Sequence, residues 1–121
     1  MSWGVGFRPG AREFFTMEKS RLEIFEDTTR NSPTDSFAHY ALAMEYEKAG
    51  RFDEAIATYT KLLGFDPKYV PAYQMCGQLL LKLGRALDAR DILGRGLQVA
   101  SQTGNMKAAN EIQGLLAELG S

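Results

Sequence analysis

Residues 40–59 read YALAMEYEKAGRFDEAIATY, and a related stretch, QMCGQLLLKLGRALDARDIL, occupies residues 74–93, 34 positions later. Identical residues recur at this spacing across the two stretches. They are Lys48 and Lys82, Gly50 and Gly84, Arg51 and Arg85, and Ala55 and Ala89. A fixed period of 20 to 50 residues is the sequence signature of a repeat array. The chain is therefore expected to stack similar units rather than to fold around one irregular core.

The repeated positions have physical roles in a stack of helices. Gly50 and Gly84 are expected to end a helix, because only glycine adopts the left-handed backbone conformation at little cost. Small residues alternate with large ones at the same spacing, which allows close helix approach and fills the space beside it. The small pairs are Ala43/Gly77 and Ala55/Ala89, and the large pairs are Tyr46/Leu80 and Tyr59/Leu93.

Apolar residues recur with a period near 3.6, and no segment alternates as a strand does. The pattern predicts six helices. Their expected ranges are 18–30, 35–49, 52–65, 70–83, 86–100 and 105–119. Asp35 is the predicted N-cap of the second helix, and Pro71 suits the first turn of the fourth. The sequence thus predicts an all-α fold.

The stretch 40–59, continued by Leu62, Leu63 and Asp66-Pro67, resembles the tetratricopeptide repeat signature. The second copy resembles it through Tyr73, Gly77, Leu80, Gly84, Ala89 and Leu93, but has Ser101 where the first copy has Pro67. The resemblance implies a right-handed superhelix of antiparallel helix pairs. It also implies a non-catalytic scaffold whose partner is a protein or peptide, although the family serves many different partners.

The predicted organisation is one domain over residues 17–121. It comprises a half repeat at 17–33, two repeats at 36–69 and 70–103, and a capping helix at 104–121. In the 34-residue register Asn110, Glu111 and Gly114 fall where Leu42, Ala43 and Tyr46 lie in the first copy, so the last helix is expected to be an atypical cap. Residues 1–16 are expected to be an N-terminal appendage, either flexible or placed ahead of a true start at Met17.

The candidate partner-binding groove follows from the resemblance, which implies that the first helix of each pair lines the concave side. In the first copy the lining would be Phe37, Tyr40, Met44, Glu47 and Lys48, and in the second Pro71, Gln74, Gln78, Leu81 and Lys82. Phe37, Tyr40, Met44 and Leu81 are apolar anchors of the kind common in interfaces, and the two lysines are suited to carboxylates on a ligand. An alternative remains open, in which the groove is filled by the N-terminal segment or by a neighbouring chain of a homodimer or larger self-assembly.

One known role within the family is not expected. Some tetratricopeptide proteins grip the terminal carboxylate of chaperones with lysine, arginine and asparagine side chains. The matching places here hold Tyr40, Met44, Met75, Asn105 and Ala109. Apart from a displaced asparagine, none carries the required side chain, so a chaperone clamp is not predicted.

Composition argues against several other functions. The net charge of −1 and the pI near 5.8 provide no strong field for nucleic acid or an anionic membrane. Cys76 and His39 are the only residues of their types. They are expected to be a buried structural cysteine and a packed helix histidine, with no metal, cofactor or catalytic role. No apolar run is long enough for a membrane-spanning helix, and a reducing, cytoplasmic location is expected.

Overall fold

The computed structural model describes residues 20–120. Within this range the chain forms six α-helices and no strand. They are α1 (Arg21–Asn31), α2 (Ser36–Lys48), α3 (Phe52–Phe65), α4 (Val70–Lys82), α5 (Ala86–Gln102) and α6 (Met106–Glu118). Each helix packs against the next one along the chain, and α4 also packs against α6. The predicted all-α architecture is confirmed, whereas the predicted appendage at 1–16 lies outside the described residues.

The first helix begins at a capping box that the periodicity did not reveal. The Ser20 hydroxyl accepts a hydrogen bond from the Glu23 amide at 3.1 Å, and a Glu23 carboxylate oxygen accepts one from the Ser20 amide at 3.1 Å. Two backbone donors that would lack partners at a helix start are thereby satisfied. α1 therefore starts at Arg21, three residues later than predicted. At α2 the predicted cap is confirmed, because the Asp35 carboxylate accepts from the Ala38 amide at 3.0 Å.

The turns after α2 and α4 have the same geometry, as the repeat predicts. Gly50 and Gly84 both have φ +77°. The amide of Arg51 bonds to the Tyr46 carbonyl at 2.9 Å, and the amide of Arg85 bonds to the Leu80 carbonyl at 2.9 Å. These bonds satisfy carbonyls that would otherwise be unpaired at the helix ends.

The core lies along the interfaces between successive helices, and it uses the small and large residues that the repeat sets opposite each other. Ala43, Ala55, Tyr59 and Leu93 are completely buried. A Cβ on Gly77 would lie 2.2 Å from the Leu93 Cδ2 atom. The absence of a side chain on Gly77 is thus what lets α4 and α5 approach closely.

The predicted register of the last helix is wrong by two positions. α5 continues to Gln102, and its turn uses Gly104 at φ +75° with the Asn105 amide bonded to the Ala100 carbonyl at 2.8 Å. In the first repeat the same connection is made by Asp66-Pro67, without a glycine. The longer helix delays α6, so its residues match those of α4 at a spacing of 36.

In the 36-residue register the last helix keeps the pattern of α4. Ala72 corresponds to Ala108, Cys76 to Ile112, Leu80 to Leu116 and Gly84 to Gly120, and α6 buries Ala108, Ala109 and Ile112. The position held by Ala43 and Gly77 is taken by Gln113, which is exposed. The role of α6 as a terminal cap stays a prediction.

The contact between α1 and α2 is more polar than the other helix contacts. α1 has no fully buried residue, although Leu22 and Phe25 pack against the core. Glu45 occupies the position that Leu79 holds one repeat later, and its carboxylate accepts from the Arg21 Nε at 3.0 Å. The Tyr46 hydroxyl donates to a Glu26 oxygen at 2.8 Å. These polar contacts between side chains add to the apolar packing that attaches α1.

Candidate ligand groove between α2 and α4

A depression of about 250 Å³ lies between α2 and α4. Its lining consists of Met44, Glu47 and Lys48 from α2, and Met75 and Lys82 from α4. The spacings of three and four residues on α2 and of seven on α4 place these side chains on one face of each helix. We call this feature the Met44–Met75 depression. Two flexible methionine side chains therefore line one depression together with two lysines and a glutamate.

A buried tyrosine holds the glutamate of the depression in place. The Tyr59 hydroxyl donates to a Glu47 carboxylate oxygen at 3.1 Å, and no part of Tyr59 is exposed to solvent. Burial, reinforced by the charge of Glu47 and this hydrogen bond, raises the pKa of the Tyr59 hydroxyl far above its ordinary value. Tyr59 thus remains a proton donor, and Glu47 is oriented from beneath the groove.

The charges at the rim differ in how far they are already paired. The Lys48 ammonium lies 3.4 Å from the Glu45 carboxylate, which also binds Arg21. Burial acts to raise the pKa of Glu45, but the hydrogen bond and charge of Arg21, together with Lys48, outweigh it and lower that pKa. Lys82, by contrast, is exposed and has no ion-pair partner among residues 20–120.

Two aromatic residues of the predicted groove, both on α2, are not part of the lining of the depression. Phe37 is 67% exposed on the first turn of α2. Tyr40 is half-buried, with its ring centroid 5.4 Å from that of Tyr69 and 6.3 Å from that of Tyr59. Burial, then the neighbouring Tyr69 and Glu47, raises the pKa of Tyr40. Tyr40 is thus packed into an aromatic cluster and is less free to act as an anchor than the sequence indicates.

The remaining predicted residues of α4 are dispersed. Gln74 donates from its Nε2 to a Glu111 oxygen at 2.8 Å and so ties α4 to α6. Pro71 and Gln78 are exposed, and Leu81 is half-buried against the core. Of the ten predicted groove residues, the depression brings together Met44, Glu47, Lys48 and Lys82.

Met75 lines the depression but was absent from the predicted groove. The groove positions of the second copy were predicted from those of the first by the 34-residue period. This period places Gln74 and Gln78 on the groove but not Met75. The signal that could have found it is its spacing of seven residues from Lys82, because residues two turns apart share a helix face.

The burial predicted for the single cysteine and the packing predicted for the single histidine are both confirmed. His39 is buried, its Nδ1–H donates to the Asp35 carbonyl at 2.9 Å, and its ring meets the Phe65 ring edge-on at 5.0 Å. Cys76 is also buried, and burial raises the pKa of its thiol to about 11.

Within residues 20–120 no group of histidine, cysteine and acidic side chains could hold a metal ion. No helix of this range is long and apolar enough to span a membrane.

The family model described as tetratricopeptide repeat matches residues 46–119. The chain belongs to the tetratricopeptide repeat (TPR) family. The matched range includes α6, in agreement with the register that α6 shares with α4. No curated protein matches the chain significantly.

Solved structures of other TPR proteins resemble this TPR domain. A tetratricopeptide repeat domain protein from Salinibacter ruber is 35% identical, with 73% of this chain and 89% of that chain covered and a TM-score of 0.69. A protein from Bordetella parapertussis is 25% identical, with 84% and 89% covered and a TM-score of 0.72. The TPR2B domain of yeast Sti1, solved in complex with pHsp70, is 22% identical, with 81% and 78% covered and a TM-score of 0.75.

These likenesses confirm the predicted superhelix of antiparallel helix pairs. Together with the family match, they show that this chain is a small TPR-domain protein. The TPR fold generally serves protein interaction.

Proposed function

We propose that this TPR domain is a non-catalytic interaction module that binds a peptide or protein on its concave face, with the Met44–Met75 depression as the main contact. The observation that carries the proposal is a surface depression lined by two methionine side chains together with charged groups. A concave, largely apolar site with a few placed polar groups is the usual form of a ligand site.

The size and chemistry of the depression suit a single side chain of a partner. A volume of about 250 Å³ accepts one large apolar side chain but no drug-sized molecule. Methionine adapts its shape to irregular partners because it has three rotatable bonds and a polarizable sulfur. Glu47 is already oriented by Tyr59, so one polar contact of the site needs little reorganisation on binding.

The class of partner proposed is a protein or peptide. The net charge of −1 favours a protein or peptide over nucleic acid or an anionic membrane, and no cofactor is proposed. A cytoplasmic location is part of the same proposal. The yeast Sti1 domain binds pHsp70, but a chaperone ligand is not proposed here. One of the corresponding places, Asn105, uses its side chain to cap α6 by accepting from the Ala108 amide at 3.1 Å.

The experiment is a selection of binders from a random peptide display library, followed by titration of the selected peptides into protein labelled at its methionine methyl groups. Met44 and Met75 report on the depression, and Met106, which is 58% exposed on α6, is the internal control. Saturable shifts at Met44 and Met75, with Met106 unmoved, are expected. Shifts confined to Met106, or selected peptides that leave both groove methyls unchanged, would refute the proposal.

A second candidate function, self-association, is favoured by the exposure of Phe37. Phe37 is 67% exposed, and aromatic side chains are enriched at protein interfaces relative to the rest of the surface. Light scattering coupled to size exclusion, from low to high micromolar protein, separates the two functions. A dimer that Phe37→Ser abolishes would place self-assembly first, whereas a monomer throughout leaves the groove available to another protein.

A further inference from the structure

We infer that the partner presents an acidic segment in which an aliphatic side chain enters the Met44–Met75 depression and a neighbouring carboxylate binds Lys82. This inference rests on the proposed function and adds the chemistry of the ligand. It follows from which groups around the depression are already engaged and which are not.

The negative charges at the depression already have donors. Glu47 accepts the Tyr59 hydroxyl at 3.1 Å. Glu45 accepts from Arg21 at 3.0 Å and lies 3.4 Å from Lys48. A cationic ligand would have to compete with these donors and would also meet two lysines of its own sign.

The positive charges are less engaged. Lys48 shares the carboxylate of Glu45 with Arg21, and Lys82 has no ion-pair partner among residues 20–120. An incoming carboxylate therefore gains an interaction with Lys82 without breaking one. Exposed charges of this kind select the partner and its orientation more than they add affinity.

The spacing along α4 sets where the carboxylate lies on the ligand. Met75 and Lys82 are seven residues apart, a rise of about 10 Å along a helix. An extended peptide advances about 3.3 Å per residue. The acidic residue is therefore expected about three positions from the aliphatic anchor.

The experiment uses four short synthetic peptides, titrated into the methionine-methyl-labelled full chain at low salt. The first has a central leucine with glutamates two and three positions away on both sides. The second replaces these glutamates by glutamine, the third replaces them by lysine, and the fourth keeps them but replaces leucine by glycine. Binding is read from the Met44 and Met75 methyl signals, which report even weak association.

The acidic leucine peptide is expected to bind about three- to fivefold more tightly than the glutamine peptide, as an exposed ion pair allows. Added salt should reduce this preference, and the glycine peptide should bind about tenfold more weakly. Lys82→Gln should lower the affinity for the acidic peptide to that for the glutamine peptide. The matched control Lys68→Gln removes an exposed lysine that precedes α4, and it should leave the preference intact.

Equal binding of all charge types, a preference for the lysine peptide, or the same loss in Lys68→Gln as in Lys82→Gln would overturn the inference. If peptides from the display library still move Met44 and Met75 in that case, the proposed function stands and only the ligand chemistry is wrong. If no selected or designed peptide moves these methyls, both proposals fail together.

Discussion

Tyr59→Phe removes one hydroxyl group and tests the link between the core and the groove. The ring of Tyr59 is completely buried, so phenylalanine fills the same space. What is lost is the hydrogen bond from the hydroxyl to the Glu47 carboxylate, 3.1 Å away. Glu47 would then be left without its buried donor at the base of the Met44–Met75 depression.

The expected cost follows from the charge and the exposure of the acceptor. Hydrogen bonds to charged groups contribute about 1.5–3 kcal/mol. Because Glu47 is only half-buried, water can replace part of the lost bond, and we expect a loss of about 1–2 kcal/mol in the free energy of unfolding. For a domain of this size that corresponds to a fall in Tm of about 4–10 °C.

The assay is urea unfolding followed by circular dichroism, with wild type and variant fitted to a common m-value. Tyr73→Phe is the matched control, because the Tyr73 hydroxyl donates to a neutral acceptor, the Pro67 carbonyl, at 2.7 Å; its loss should cost about 0.5–1.5 kcal/mol. A double-mutant cycle with Glu47→Ala isolates the pair. Simple additivity of Tyr59→Phe and Glu47→Ala in this cycle would refute the reasoning.

Three further predictions can be measured on the same protein. Gly77→Ala should cost about 1–3 kcal/mol in urea unfolding, because its Cβ would lie 2.2 Å from a buried leucine atom, whereas Gly94→Ala, with nothing within 4 Å, should be neutral or stabilising. The Cys76 thiol, with its pKa raised to about 11 by burial, should react with a disulfide reagent at pH 8 only after urea is added; rapid reaction of the folded chain would contradict its burial. The lowered pKa of Glu45 means that its contribution to stability is present above the unfolded pKa of about 4.3 and is lost as the pH falls through the lower folded value. Arg21→Ala should therefore reduce the loss of stability below about pH 4, and an unchanged pH profile would show that this contact does not stabilise α1.

The helices could be predicted because the signals that define them are local. The glycines at Gly50 and Gly84 and the cap at Asp35 act through backbone bonds within a few residues, and the structure places all three as expected. The turn between α5 and α6 could not be predicted from the first copy, because Gly104 replaces an Asp-Pro connection. That change shifted the register of α6 by two residues.

The arrangement of the groove side chains could not be predicted in the same way, because helical spacing gives a face but not the direction of each side chain. Tyr40 satisfies the expected spacing, yet its ring packs against Tyr69 and Tyr59. Met75 turns toward α2 although its counterpart in the first copy is the small Ala41. The direction of each side chain depends on the space left by residues of the neighbouring helices, and the sequence of one helix does not contain that information.

Positions that are identical in the two repeats differ in location from positions that change between them. Ala38/Ala72 and Ala55/Ala89 repeat and are buried, so they specify the packing of the array. Around the Met44–Met75 depression most positions change in the next copy: Met44 is followed by Gln78 and Glu47 by Leu81. The repeated residues thus specify the packing of the helices. The residues that differ between the copies give the Met44–Met75 depression its particular side chains.

The charged residues also differ between α4 and α6 at equivalent positions. In the register of α6, Met75 corresponds to Glu111 and Lys82 to Glu118, and both glutamates are exposed. The interval between α2 and α4 therefore presents two lysines and Glu47, whereas α6 has glutamates at the places of Met75 and Lys82, and one of them, Glu111, is paired with Lys107. A ligand carboxylate held by Lys82 would be repelled if it moved one helix further toward α6. If the proposed ligand chemistry is right, the interval between α2 and α4 is therefore expected to favour an acidic ligand more than the interval between α4 and α6 does.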